Sequence, residues 1–282
     1  MIIDFRIRPP VKSFRSMSIY TETEWVEGLF GFCGALPASA RKRSMPMLRK
    51  ELKQAGITHG VLWGRVVADP KQSVDSQDVA DIVAEENGFF SGFGGICLQN
   101  SPDQNVKEVD RILVDLKLKG ITLEPGFGPP LIKADDRKLY PVYERCQELG
   151  GILAMTVSGV AGGDIDYSHP STVDRVAGDF PNLKIVISHA CWPWTTLACG
   201  VAHHRPNLYL MPDLYGMDAP GYMHYVEAAN SFLGDRMMFA TAYPLSDVVK
   251  TVEAYRKLPF KEGVLEKFLY GNAARLLGLS DT

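Results

Sequence analysis

The chain has 282 residues, 46% of them hydrophobic and 22% charged, with a formal net charge of −3 at pH 7. That balance leaves no basic footprint for nucleic acid and no polybasic patch for a membrane surface, and no stretch approaches the roughly 18 apolar residues of a membrane span. The start lacks the basic region and cleavage site of a signal peptide, and five cysteines without a CxxC pair read as reduced thiols. A cytoplasmic protein is expected.

The opening residues Met1 to Arg8 form a strand, and alternation puts Ile3, Phe5 and Ile7 on one face and Asp4, Arg6 and Arg8 on the other. Pro9 and Pro10 cannot continue a ladder, so the strand stops past Arg8. Thr23–Phe32 follows, then a longer loop and a helix over Ser44–Ala55 ended by Gly56. Thr58–Trp63 reads as a strand, Asp75–Asn87 as a helix, and Phe89–Leu98 as the third strand. Asn105–Lys117 is helical, Gly120–Leu123 the fourth strand, Lys138–Leu149 helical and Ile152–Thr156 the fifth strand. Next come helix Ser171–Asp179, strand Leu183–Ser188, helix Thr195–His203 and strand Leu208–Met211. Ala219–Phe232 is helical, Met237–Phe239 is the eighth strand, Leu245–Arg256 covers it, and Gly263–Leu277 holds one or two more helices.

Strands alternating with helices imply a parallel sheet with crossover helices. Eight such units fit an α/β architecture of one closed (β/α)₈ TIM barrel spanning residues 1–282. A doubly wound open sheet is the alternative, although no GxGxxG follows an early strand. In a barrel, function sits where strands end. Those points here hold Arg6, Arg8, Arg65, the Leu98 to Asn100 segment, Glu124, the Met155 to Ser158 segment, the His189 to Trp194 segment, Asp213 to Tyr215, Ala242 and Tyr243.

Four segments carry a family likeness: Phe180 to His189 with Pro193-Trp194, Tyr270 to Gly278, Lys119 to Pro125, and Met238 to Pro244. On these the chain resembles amidohydrolase-related proteins of the decarboxylase and lactonase branch (relatives of aminocarboxymuconate-semialdehyde decarboxylase and pyrone-dicarboxylate lactonase). The resemblance implies a divalent metal held by two histidines on the first strand, one each on the fifth and sixth, and an aspartate on the eighth. This chain has Arg6, Arg8, Met155, His189 and Ala242 at those places. A guanidinium does not deprotonate and alanine offers no donor, so neither the metal nor another cofactor is expected. The lactonase branch works without metal, but through the eighth-strand aspartate that Ala242 replaces.

Arg6 and Arg8 at the mouth of a buried strand suit an anion site, holding a carboxylate by bidentate bonds, or else an internal ion-pair network. Arg65 either completes this cationic cluster or pairs with Asp69. His189 is the leading proton carrier, since its imidazole titrates near neutral pH. Glu124 is a paired carboxylate or a weak base, and Asp213 a base, an orienter of His189 or a turn cap. Tyr215 and Tyr243 offer phenolic hydrogen bonds or packing. The expected function is metal-independent hydrolysis of a small carboxylated molecule at a lactone, C–C or C–N bond. A lyase (decarboxylase or hydratase) and a non-catalytic ligand-binding barrel remain alternatives, and a homodimer is compatible with all three.

Overall fold

Side-chain caps set the helix starts. Ser44 accepts the Met47 amide at 3.4 Å and Asp75 the Gln77 amide at 2.8 Å, and Ser101 and Gln104 form a reciprocal capping box. The computed structural model describes residues 1–159 and 163–279, and the remaining six residues of the expected 1–282 domain lie outside the described residues. Strands β1 (Ile3–Ile7), β2 (His59–Trp63), β3 (Phe90–Gly95), β4 (Gly120–Leu123), β5 (Ile152–Thr156), β6 (Lys184–Ser188) and β7 (Leu208–Met211) form one parallel sheet in sequential order. A doubly wound sheet would reverse its strand order at a switch point, and this one does not.

Helices separate successive strands: Met45–Ala55, Ser76–Glu85, Pro102–Asp110, Tyr140–Glu148, Pro170–Asp179 and Thr195–His204. Met223–Ala229 and Val248–Arg256 follow β7. Ile3, Phe5, Val61, Trp63, Phe93, Ala154, Val186 and Met238 share one apolar cluster. Residues of β1 and β5 meet only if the sheet curls on itself, so this cluster fills its concave side. A larger cluster lies between the strands and the helices. No helix among the described residues is long and apolar enough to cross a membrane.

Two expectations need correction. The eighth strand, Met237–Phe239, is not a regular strand: it makes one isolated parallel bridge, Met237 to Leu210, and a second bridge, Tyr243 to Ile7, follows four residues beyond it. Single backbone bonds reinforce the seam, from Met238 N to Leu210 O at 3.0 Å and from Phe5 N to Phe239 O at 3.1 Å. The physical reason is Asp4. Its carboxylate takes the Thr241 amide at 3.0 Å and the Thr241 hydroxyl at 2.5 Å, replacing a ladder with a side chain, and Ala242 turns away at φ 55°.

The second correction concerns β1. Its register against β2 shifts between Asp4 and Ile7. Ile3 and Phe5 therefore face the concave side while Ile7 joins the helix-facing layer. A slip of one residue exchanges the faces of a strand, so the three do not share one face.

Candidate active site

The site lies at the C-terminal ends of the strands, where βα loops begin. Ser188 ends β6, and the chain then runs through His189, Ala190 and Cys191 at φ 65°, 43° and 57°. Asp213, just past β7, also has positive φ, 42°. Non-glycine residues in this region cost about 1–3 kcal/mol each and persist where surroundings over-determine them. Here they are over-determined. Asp213 Oδ2 accepts the His189 amide at 3.1 Å and the Ser188 hydroxyl at 2.8 Å, and the Tyr255 hydroxyl donates to the Asp213 carbonyl at 2.6 Å. Gly216 makes room for that tyrosine, because a Cβ there would stand 1.9 Å from the Tyr255 hydroxyl oxygen.

The same Asp213 carboxylate orients the imidazole. Its Oδ1 lies 2.7 Å from His189 Nδ1, and Arg6 Nη1 lies 2.8 Å from His189 Nε2. A guanidinium only donates, so Nε2 is the acceptor and the ring is neutral, its proton on Nδ1 facing Asp213. Burial pulls the His189 pKa below the usual histidine value; Asp213 opposes that shift and Arg6 adds to it. A protonated ring would set N–H against N–H at Arg6.

Arg6 itself is buried, and burial, with Arg8 close by, lowers its pKa to about 10. Its Nη2 donates to Thr156 Oγ1 at 3.4 Å, its guanidinium lies 5.3 Å from the Trp63 ring centre, and its nearest carboxylate oxygen, Asp213 Oδ2, is 3.8 Å away. The other two arginines differ. Arg8 Nη2 donates to Glu124 Oε1 and Arg65 Nε to Glu124 Oε2. Burial alone would raise the Glu124 pKa, but Arg65, Arg8 and Arg6 together hold it far below the carboxylate range. Thr156 Oγ1, 3.3 Å from Glu124 Oε1, links this cluster to Arg6.

Arg6, Arg8, Arg65, Glu124, Thr156 and His189 line one cavity of about 280 Å³, whose remaining walls include Ile19, Trp25, Leu29, Phe30, Phe127 and Leu245. That volume falls at the small end for ligand pockets. Arg8 Nε, buried behind this wall, has no hydrogen-bond partner among the described residues.

The structure brings Arg6, Arg8, Arg65, Glu124 and His189 onto one cavity and sets Asp213 directly behind His189. Arg65 pairs with Glu124, not Asp69. Tyr215 stands edge-on to the His189 ring at 5.2 Å and stacks on Trp192 at 4.6 Å, and it lines a neighbouring cavity of about 270 Å³ that shares Leu29 with the first. Tyr243 does not reach either cavity: its hydroxyl meets Ser39 Oγ at 2.8 Å, and the ring is buried against the helices. Met155 is turned outward, with the Tyr143 hydroxyl 3.9 Å from its sulfur. Thr156 is the β5 residue that faces the site. Strand parity with Ile152 and Ala154 on the concave side was the available signal for it. Thr156 lies in the Met155 to Ser158 segment that the sequence marks as a strand end; Ser188, Trp63 and Tyr255 carry no such mark, and only the fold reveals them.

The metal set implied by the family resemblance does not fit these residues. Among the described residues no group of three or more His, Cys, Asp or Glu side chains could hold a metal ion. The lone pair of His189 is already taken by Arg6.

Residues 3–279 match the model of the amidohydrolase family, and the chain belongs to that family. A curated relative, 2-amino-3-carboxymuconate-6-semialdehyde decarboxylase of Dictyostelium discoideum, is 26% identical, covering 75% of this chain and 69% of that protein. An uncharacterized TIM-barrel protein of Bordetella bronchiseptica is 39% identical, with a TM-score of 0.94 over 99% of this chain and 98% of its own. The 5-carboxyvanillate decarboxylase of Sphingomonas paucimobilis shares the fold, at TM-score 0.67 and 17% identity, over 99% of this chain and 98% of that one.

Proposed function

We propose that this chain is a hydrolase of a small carboxylated molecule, working without a metal as one barrel domain in which the 236–243 segment stands in for the eighth strand. The observation that carries the reading is the line Asp213–His189–Arg6, with the basic nitrogen of a neutral imidazole turned to a guanidinium on the cavity wall. A substrate carboxylate competes with His189 for Arg6. A charge-assisted bond to a carboxylate is stronger than one to a neutral acceptor, so binding frees Nε2. That nitrogen then takes a proton from water while Asp213 stabilises the imidazolium. The hydroxide adds to the carbonyl of a lactone, or to a carbonyl next to the scissile C–C or C–N bond, and Arg8 and Arg65 stabilise the oxyanion. As the intermediate collapses, the bond to the leaving oxygen, nitrogen or carbon breaks and His189 returns its Nε2 proton to that atom, which leaves the ring neutral again.

The second reading is a lyase, favoured by relatives that are decarboxylases. An arginine grip stabilises a carboxylate in the ground state at least as well as in the transition state for its loss. That favours hydrolysis over loss of the group the arginines hold.

The test uses chelator-treated protein and a panel of carboxylated lactones and ring-cleavage acids, with products followed by mass spectrometry. Water addition that falls by ~10²–10⁴ in kcat in His189→Gln supports the hydrolase. Carbon dioxide release with the same dependence on His189 replaces it with the lyase. Ligand binding with no turnover of either kind leaves a binding barrel.

A further inference from the structure

The charges around the cavity do not cancel. From β1 come Arg6 and Arg8, from the loop after β2 Arg65, from the loop after β4 Glu124, from the end of β6 the neutral His189, and from the end of β7 Asp213. The helix Thr23–Phe30 contributes only Trp25, Leu29 and Phe30 to the wall, none of them charged. Three guanidinium groups stand against two carboxylates. Asp4, below Arg6, spends its oxygens on the Arg6 amide and on Thr241.

The surplus can be located. Glu124 is shared by Arg8 and Arg65, while both Asp213 oxygens already accept bonds from His189 and Ser188. Arg6 thus has no carboxylate within hydrogen-bond distance, and it stands on the cavity wall beside Arg8. Beyond the arginines and their partners the wall is Ser18, Ile19, Trp25, Leu29, Phe30, Phe127 and Leu245, with no cation to pair with a second carboxylate on the ligand. Each part of that group drawn out of water there is costly without a charged partner.

We infer that the cavity is matched to a single negative charge, so that it accepts a small monocarboxylate with an apolar body and discriminates against dicarboxylates. The inference rests on the reading that the arginines hold the substrate carboxylate. Burial pushes the Asp4 pKa up to about 7, so at pH 6 it adds little negative charge and the surplus is at its clearest.

The experiment is isothermal calorimetry at pH 6 on the full chain with benzoate, isophthalate and benzamide. Benzoate is expected to bind at least about tenfold more tightly than either of the others. Isophthalate binding as well as benzoate, with benzamide weak, overturns the charge matching and leaves the carboxylate site standing. Benzamide equal to benzoate, or no binding by any of the three, overturns both. Two variants sharpen the result. Arg65→Gln, at the partly exposed edge of the cluster, removes the surplus and is expected to weaken benzoate by about tenfold or more; unchanged affinity overturns the inference. Glu124→Gln enlarges the surplus and is expected to move the preference toward isophthalate; where that variant does not fold, Arg65→Gln decides.

Discussion

The two halves of the site use the same residue types to opposite ends. On the β4 side, Glu124 is locked between Arg8 and Arg65, every group is charged, and no proton can move without breaking a buried pair. On the β6–β7 side, Asp213 and Arg6 are separated by a neutral imidazole, and the proton on Nδ1 and the lone pair on Nε2 are both placed for transfer. The first arrangement fixes charge in space, as binding requires. The second leaves charge free to redistribute, as acid–base chemistry requires. Thr156 is the only side chain that hydrogen-bonds to both among the described residues.

Breaking the fixed half should cost most in stability. Glu124→Gln leaves the buried Arg8 guanidinium and the partly buried Arg65 guanidinium facing each other, and urea denaturation at pH 7 is expected to show a loss of about 3 kcal/mol. Because the Glu124 pKa is depressed in the fold, its contribution is present above the unfolded value of about 4.3 and fades as pH falls below it. The deficit between wild type and variant should shrink in that acid range; a deficit constant with pH would mean that packing, not charge, is what was lost.

Asp4 gives the opposite sign. Its folded pKa lies above the unfolded value, so its contribution is greatest below about pH 4 and is lost as pH rises toward 7, by at most about 1.4 kcal/mol per pH unit. The stability of wild type relative to Asp4→Asn should therefore decline across that window and level off above it. A flat difference curve would contradict the burial of the carboxyl group.

The mobile half should respond in rate. Asp213→Asn keeps the shape of the turn but no longer stabilises an imidazolium, and kcat is expected to fall by ~10² or more with KM little changed. A rise in KM alone would place Asp213 in binding. The smallest effect belongs to Ser188→Ala, which removes one of three bonds to the Asp213 carboxylate. About 1 kcal/mol of stability should be lost, read as a shift of the urea midpoint at unchanged slope.

The sequence pattern places β4, β5 and β7 at their observed bounds because each is a short apolar run between clear breakers. It also finds Arg6, Arg8, Glu124 and His189, since charged groups where apolar strands end stand out. What it misses follows from parity and from distance along the chain. The register shift in β1 is a backbone event with no residue signature, and it sends Ile7 to the helix layer. One position separates Met155 from Thr156, and that position decides which of them sees the cavity. Tyr243 sits in a family-like segment at a strand end, yet its hydroxyl is claimed by Ser39, 204 residues away in the chain. Helix Asn105–Lys117 starts earlier than its pattern suggests, at Pro102, because Ser101 and Gln104 cap it.

The seam held by Asp4 and Thr241 also fixes an order of assembly. β1 can pair with β2 once roughly the first quarter of the chain exists, whereas its other edge waits for a partner 237 residues away. Closing a loop that long is entropically demanding. During synthesis, the strand that carries both site arginines therefore keeps one edge unpaired until nearly all of the chain has been made. By joining that edge through one buried carboxylate and single backbone bonds, the fold leaves the last step of its assembly to a few bonds instead of a full ladder.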